Sequence, residues 1–366
     1  MIKHLLLYLF ITTSLLAVDI YDNLRIHGFA TQNLVLNTSD DIVGAVVDGG
    51  RTLLEKNRLN YGYSLIGAQL EWDISESIEL MVQGSYANDD DINYDFELDW
   101  LIIGYDFGND YKLRVGRLKV PLMKGLELRH IGSSRLWTMP QLAPRGVNGF
   151  DTMHGAELLK NTNIGDVDLE FQATYGKAKH GAFQDKNKNL YNIALKTSYE
   201  NKWIRYSYGQ LEFDHYLRDG KLEKEDAILT FASVETELHF DELIFFGGYS
   251  NGNNNQIPDA RFYYASLAYE LDEFTPYVLY SDFYVDRLPV GTPPAPGQSP
   301  PPGQGPPPRI GYDNIKHNSI GVRYDYNSNI DVKLEYDYLV HDRHLDSLGP
   351  QETYANIFTL SIDVVF

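Results

Sequence analysis

The stretch "DVDLEFQATY", residues 166–175, alternates without a break: Val167, Leu169, Phe171, Ala173 and Tyr175 against Asp168, Glu170, Gln172 and Thr174. Side chains along a strand point to opposite sides in turn, so such a segment has one apolar and one polar face. Segments of this kind recur along the chain at 24–36, 61–73, 77–87, 94–106, 110–120, 152–161, 165–176 and 188–200. They continue at 202–214, 226–240, 242–250, 261–272, 274–286, 316–327, 330–340 and 353–366. Sixteen greasy faces need a solvent, and the choice lies between a second layer of polypeptide and lipid.

The connections decide between them. Short links ("ISES", "GND", "NTNIG", "NK", "DE", "DE", "NSN") alternate with longer ones at 37–60, 88–93, 121–151, 177–187, 215–225, 251–260, 287–315 and 341–352. Tight turns on one rim and long loops on the other predict an up-and-down barrel. A sandwich with Greek-key crossings does not keep such an order. Most segments run about 10–13 residues, which suits a tilted membrane-spanning strand of roughly 9–11 residues better than a soluble strand of about 5–6. Lipid offers the backbone no hydrogen-bond partner, so the sheet must close. The expected fold is all-β: a transmembrane, antiparallel, up-and-down β-barrel of about sixteen strands, with short periplasmic turns and long outer loops.

Composition agrees. The formal charge of −20 argues against a nucleic-acid binder, which needs a basic footprint. There are 27 tyrosines and no cysteine, so no disulfide framework or thiolate metal site exists. Mean hydropathy is negative despite the aromatics, as expected when a barrel hides its polar face inside. Tyr61, Tyr63, Trp72, Tyr94, Trp100, Tyr175, Tyr191, Tyr199, Tyr263, Tyr269 and Tyr336 lie toward segment ends, where belts of amphipathic rings are expected. At the N-terminus, Lys3 precedes an apolar run from Leu5 to Leu16 and then Ala17. This is the layout of a signal peptide, residues 1–17, leaving 18–366 as a single barrel domain.

The last segment, "YANIFTLSIDVVF", puts Tyr354, Phe358, Leu360, Ile362, Val364 and Phe366 on one face. It resembles the closing strand of Gram-negative outer-membrane barrels, in which a terminal Phe is an assembly signal. "LRVGRLKVPL" (113–122), followed by some thirty loop residues, resembles the porin superfamily, general or phosphate-selective. In that family the connection after the fifth strand folds into the channel, which here is 121–151. The resemblance implies an outer-membrane, trimeric, water-filled channel for small hydrophilic solutes and ions, with no cofactor.

Alternation places Glu79, Gln83, Ser85, Asp168, Glu170, Gln172, Arg205, Ser207, Arg323, Asp331, Lys333, Glu335 and Asp337 inward. It does the same for Asp95, Glu97, Asp99, Lys112 and Arg114. A barrel of this size is too wide for side chains to fill, so these line an aqueous lumen. Between 119 and 150, Lys119, Lys124, Arg129, Arg135 and Arg145 stand against the single carboxylate Glu127. A cationic loop in a lumen attracts anions. The expected constriction is therefore Lys112, Arg114, Lys119, Lys124, Glu127, Arg129 and Arg135 facing Asp95, Glu97 and Asp99, with a modest anion preference set by Lys124, Arg129 and Arg135. A channel for one specific solute is the alternative.

Arg117 falls on the outward face, where mid-membrane placement costs about 2–4 kcal/mol, so a register slip, a subunit contact or a rim position must accommodate it. The proline run at 289–309 cannot form ladder hydrogen bonds and reads as an outer loop. "DKNKN" (185–189) has calcium-loop spacing but Leu190 where the turn needs glycine, and "NDDD" (88–91) is only a loose acidic cluster, so no metal site is expected. Some outer-membrane barrels are lipases or proteases. The only local pairing here is Ser133 or Ser134 near His130, and a small loop with arginines does not activate a serine, so no catalytic residue is expected. A surface adhesin is the third class, with a plugged lumen as its signature.

Overall fold

A computed structural model describes residues 18–39, 56–57, 59–62, 64–90, 93–128, 130–138, 152–178, 187–215, 225–254, 259–289, 310–345 and 349–366. The predicted signal peptide and the proline run from 290 onward lie outside the described residues, as do Arg129 and Arg145.

Sixteen strands form the wall. The first five are β1 (Leu24–Asn37), β2 (Leu65–Ser75), β3 (Ile78–Asp90), β4 (Asn93–Gly108) and β5 (Tyr111–Lys119). Next come β6 (Thr152–Ile164), β7 (Val167–Ala178), β8 (Asn187–Tyr199), β9 (Lys202–His215), β10 (Glu225–Phe240) and β11 (Leu243–Asn254). The last are β12 (Ala260–Tyr269), β13 (Phe274–Pro289), β14 (Ile310–Asn327), β15 (Ile330–Leu345) and β16 (Gly349–Val365). Each pairs antiparallel with its chain neighbours, and β16 pairs with β1 from Ile357↔Asn37 to Val365↔Phe29, which closes the ring. Two short pieces flank β1: Val18–Tyr21 pairs with its start and Leu59–Asn60 with Val35 and Leu36.

The predicted segments match these strands closely. The strands overrun several predicted ends: β14 begins at Ile310 rather than 316, and β3 and β4 are separated by only residues 91–92. Extra residues beyond the membrane keep their ladder bonds, because the wall continues into water where alternation is no longer enforced by lipid.

On the short-turn rim, Asn109, Asp110, Glu200, Asp241 and Asp272 take positive φ, between 51° and 63°. Four of these five are Asn or Asp, the residues that best tolerate that backbone.

The outward face is apolar: Phe171 is 44%, Ile193 61% and Ile103 56% exposed. Aromatics gather at two heights, with Trp72, Tyr199 and Tyr269 toward the short-turn rim and Tyr175, Tyr191 and Tyr263 toward the long-loop rim, all exposed. This is a surface made for hydrocarbon between two polar interfaces. Of the other belt candidates, Tyr61 is exposed, Tyr336 is half-buried against Phe358, and Tyr63 and the Tyr94 side chain lie outside the description. Trp100 departs from expectation. A bulge sets Gly84 opposite Leu98 and Gln83 opposite Trp100, so Asp99 is the extra residue and Trp100 packs against the apolar residues inside.

The interior is not wholly polar either. Near the long-loop rim, Met153, Leu190, Leu211, Phe231, Phe262, Ile315, Leu339 and Ile357 point inward and are buried. They form one cluster with Leu122, Met123, Leu136 and Trp137 of the connection after β5. That connection therefore sits inside the barrel.

Candidate functional site: the lumen and the loop across it

After Lys119 the chain leaves the wall, makes one helical turn at Lys124–Glu127 and a 3₁₀ turn at Gly132–Ser134, and its described residues meet the interior at four places. The first is β9 and β10. Ser207 and Arg205 donate to the Pro121 carbonyl at 3.0 and 3.4 Å, and Ser233 donates to the Leu122 carbonyl at 2.5 Å. The Lys124 backbone N–H donates to Glu235 at 2.7 Å, and Tyr264 holds the other oxygen of that carboxylate at 2.8 Å. Buried polar groups are stable only when satisfied, and here loop carbonyls and wall side chains satisfy each other.

The second contact is with β3 and β4. His130 Nδ1 lies 2.7 Å from Asp99 and 3.0 Å from Ser85, while Lys119 approaches the same Asp99 at 3.5 Å. The third is with β1 and β14–β16. Lys333 donates to the Gly132 carbonyl at 2.8 Å and pairs with Asp363 at 2.9 Å and Asp331 at 3.2 Å. Arg323 donates to the carbonyls of Ser133 and Arg135 at 2.9 and 3.2 Å. The fourth joins β11, β12 and β15: Trp137 packs edge-on against Phe246 and Tyr264, and Thr138 donates to Glu335. These contacts lie on opposite sides of the ring, so the loop crosses the lumen from wall to wall.

The residues of the expected constriction are placed as follows. Lys112 pairs with Glu79 at 2.7 Å, and Arg114 with Glu157 at 3.3 Å and Glu79 at 3.7 Å. Lys124 pairs with Glu237 at 3.4 Å and lies 5.1 Å from the Trp203 ring centroid. Glu127 pairs with Arg205 at 2.7 Å, and Arg135 donates to the Thr138 carbonyl at 3.3 Å. Glu97 faces Arg117 at 3.6 Å rather than a loop cation. Asp95 pairs opposite Ala87 in the ladder, its side chain being outside the description, as is all of Arg129. Among the described residues, the acids of β4 meet cationic groups of this connection at Asp99, beside Lys119 and His130. Lys124 and Glu127 instead meet β9 and β10. The outward Arg117 sits at the long-loop end of β5, which is the rim position that accommodates it.

Sequence reasoning missed Glu157, Glu237 and Asp363, the wall carboxylates that pair with Arg114, Lys124 and Lys333, and Glu235, which accepts the Lys124 backbone N–H. Glu235 and Glu237 share one face of the alternating "VETELHF", so the signal was present. Below the loop, toward the short-turn rim, Glu71, Glu79, Lys112 and Arg114 keep roughly a quarter to a third of their side-chain surface exposed. They stand side by side on the inner face of β2, β3 and β5.

Two clusters, one between the loop and the wall and one within the wall, combine serine, histidine and aspartate. In the first, Ser85 and Asp99 both meet His130 Nδ1. In the second, Ser319 and Asp337 both meet His317 Nε2, at 2.8 and 2.7 Å. A relay needs the serine on one ring nitrogen and the carboxylate on the other. Neither cluster has that geometry, and Ser133 and Ser134 do not reach a histidine. Glu97, Asp99 and His130 bring ligand-type atoms within 4.8 Å of one another. Arg117 and Lys119 already supply positive charge to the two carboxylates, at 3.6 and 3.5 Å.

No family model and no curated protein matches this chain. Solved structures do. The outer membrane channel DcaP of Acinetobacter baumannii is 14% identical with a TM-score of 0.61, covering 96% of this chain and 100% of that one. The trimer form of OmpT, an outer membrane protein of Vibrio cholerae, is 13% identical with a TM-score of 0.59, over 94% and 99%. An anion-selective porin from Comamonas acidovorans is 9% identical with a TM-score of 0.59, over 94% and 99%. At these identities the likeness is one of fold: the outer-membrane porin barrel.

Proposed function

We propose that this chain is an outer-membrane channel through which small hydrophilic solutes and ions diffuse passively. The observation that carries the reading is the loop spanning the lumen of a closed barrel with an apolar outside and a charged inside. A wall of this kind separates lipid from water, and a loop fixed across it sets how large a solute passes. The reading needs no catalytic residue, cofactor, metal or nucleic acid. Export by the segment 1–17, which the sequence suggests, would deliver the barrel to the outer membrane. A homotrimer is the assembly we expect, with the trimer form of OmpT as the precedent in a similar fold.

Purified protein in planar bilayers tests the channel. Stepwise conductance, blocked progressively by neutral sugars of rising size, is the expected result. Folded protein that inserts without conducting would leave the adhesin reading. Hydrolysis of an ester or peptide by the same material would leave an enzyme.

Charge selectivity is the finer part. The loop's cations favour anions, and Lys124, 44% exposed at its side chain, is the described residue best placed to act on passing ions. Glu237 beside it cancels part of its field, so the preference is modest. Lys124→Glu moves the reversal potential under a salt gradient toward cation preference. Clear cation preference in the wild type would end the anion reading and leave the channel standing. A solute-specific channel would show itself as saturation with one sugar or phosphate.

A further inference from the structure

Between β4 and β5 the ladder stops short of the long-loop rim. Its last pair is Leu101 with Arg117, although β4 extends to Asn93 and β5 to Lys119. Beside this seam, on the outer face, lies a groove of about 650 Å³. Leu101, Val115 and Ala156 form its floor, with Gly116, Gly155 and Gly176 beside them. Arg117, His154 and Lys177 line it at the end nearer the rim. They form a single cross-strand row, with Arg117 opposite His154 and His154 opposite Lys177.

The height of that row is informative. Two residues farther from the rim, Val115, Ala156, Tyr175 and Tyr191 form the parallel outward row. Tyr175 and Tyr191 are exposed, with ring centroids 5.2 Å apart, and belong to the belt that marks the membrane interface. Two residues of strand are about 6.6 Å, so the basic row stands at head-group level with the apolar floor beneath it. The protein carries −20, yet three bases stand side by side here. Asn189 also lines the groove and donates to Glu212 at 2.8 Å, which bounds the basic stretch on that side. Among the described residues, Arg117 has the weak contact with Glu97 at 3.6 Å and a buried Nε without a hydrogen-bond partner. Neither His154 nor Lys177 has an ion-pair partner among them.

We propose that this groove holds a lipid of the outer leaflet with a phosphorylated head group. Its phosphate lies among Arg117, His154 and Lys177, and an acyl chain lies on Leu101, Val115 and Ala156. The site rests on the barrel spanning the outer membrane, but not on what the lumen conducts. A second copy of the chain is the less suitable occupant. The groove is divided into basic and apolar parts at the height where a lipid is divided, and its surroundings are the exposed rings and aliphatics of a hydrocarbon-facing wall.

Native mass spectrometry of the full barrel released from detergent tests this, with diphosphorylated lipid A, phosphatidylcholine and inorganic phosphate as three separate probes. Lipid A is expected to stay bound, phosphatidylcholine to be lost, and inorganic phosphate to fail to displace lipid A. The double variant Arg117→Gln/Lys177→Gln should lower lipid A retention about tenfold, and Ala156→Trp, which fills the hollow, should do so as well. Both variants keep the compact, heat-modifiable band of the folded barrel on an electrophoretic gel, which shows that they fold. Equal retention of phosphatidylcholine, displacement by phosphate alone, or unchanged retention in both variants overturns the proposal. So does efficient disulfide cross-linking of Ala156→Cys between copies, which would place a subunit on the groove. Loss of conductance with lipid retention intact counts against the channel alone.

Discussion

Lys333 shows how far a single residue can be read. Alternation points it inward, and it does face the interior, but fully buried instead of lining water. Its ammonium sits between Asp331 and Asp363 and reaches the Gly132 carbonyl. None of these partners is near in sequence except Asp331, so no local pattern could announce the cluster. Asp99 was legible as an inward acid for the same reason, and the bulge that brings Trp100 in beside it was not, because a bulge breaks the period that makes strands visible. Lys333→Met should leave two buried carboxylates without their shared cation. Breaking a buried pair in this way costs about 3–5 kcal/mol. The expected result is a clear fall in the temperature at which the folded barrel converts to the unfolded band on an electrophoretic gel. Adding Asp363→Asn to that variant should restore part of the loss, and a double variant no better than the single would show that the charge cluster is not what stabilises this corner.

At the scale of elements, the wall was legible and the loop was only half so. Its inward course was implied by resemblance and by its place after the fifth strand, while its anchors depend on contacts that join distant parts of the chain. Gly132 is the tightest of them. A Cβ there would lie 1.7 Å from Asp363 Oδ1 and 2.3 Å from Thr31 Oγ1, and Thr31 itself donates to that carboxylate. Gly132→Val must push the loop off β1 and β16, an overpacking worth about 1–3 kcal/mol. Because the anchors at β9 and β10 remain, the loop should swing rather than leave the lumen. Larger and noisier single-channel conductance, with a higher size limit for sugars, is the expected outcome. Conductance identical to wild type in a variant of normal thermal stability would mean that the loop does not set the passage.

For the whole molecule the decisive event is closure, since the open edges of β1 and β16 cannot lie in hydrocarbon. The alternation, the strand lengths and the order of short and long links all pointed to a closed ring, because each is imposed locally by lipid on one side and water on the other. What they could not show is how the seam is locked. Beyond the last ladder pair, the Gly28 N–H donates to the Phe366 carbonyl at 2.6 Å and the Phe366 N–H donates to the Gly28 carbonyl at 2.9 Å. The Phe366 ring lies across Gly28 so closely that a Cβ there would meet ring carbons at 2.0 and 2.1 Å. Glycine at this point lets a ring cover the seam. Gly28→Val therefore displaces Phe366 without touching any lumen residue, and Phe366→Ala removes the cover while keeping the backbone pair. If the ring protects the seam, both variants should refold more slowly from urea into detergent and unfold at lower temperature. The channels that do form should conduct as the wild type does. Unaltered refolding in both would mean that the ladder alone closes the barrel and the ring over Gly28 adds nothing.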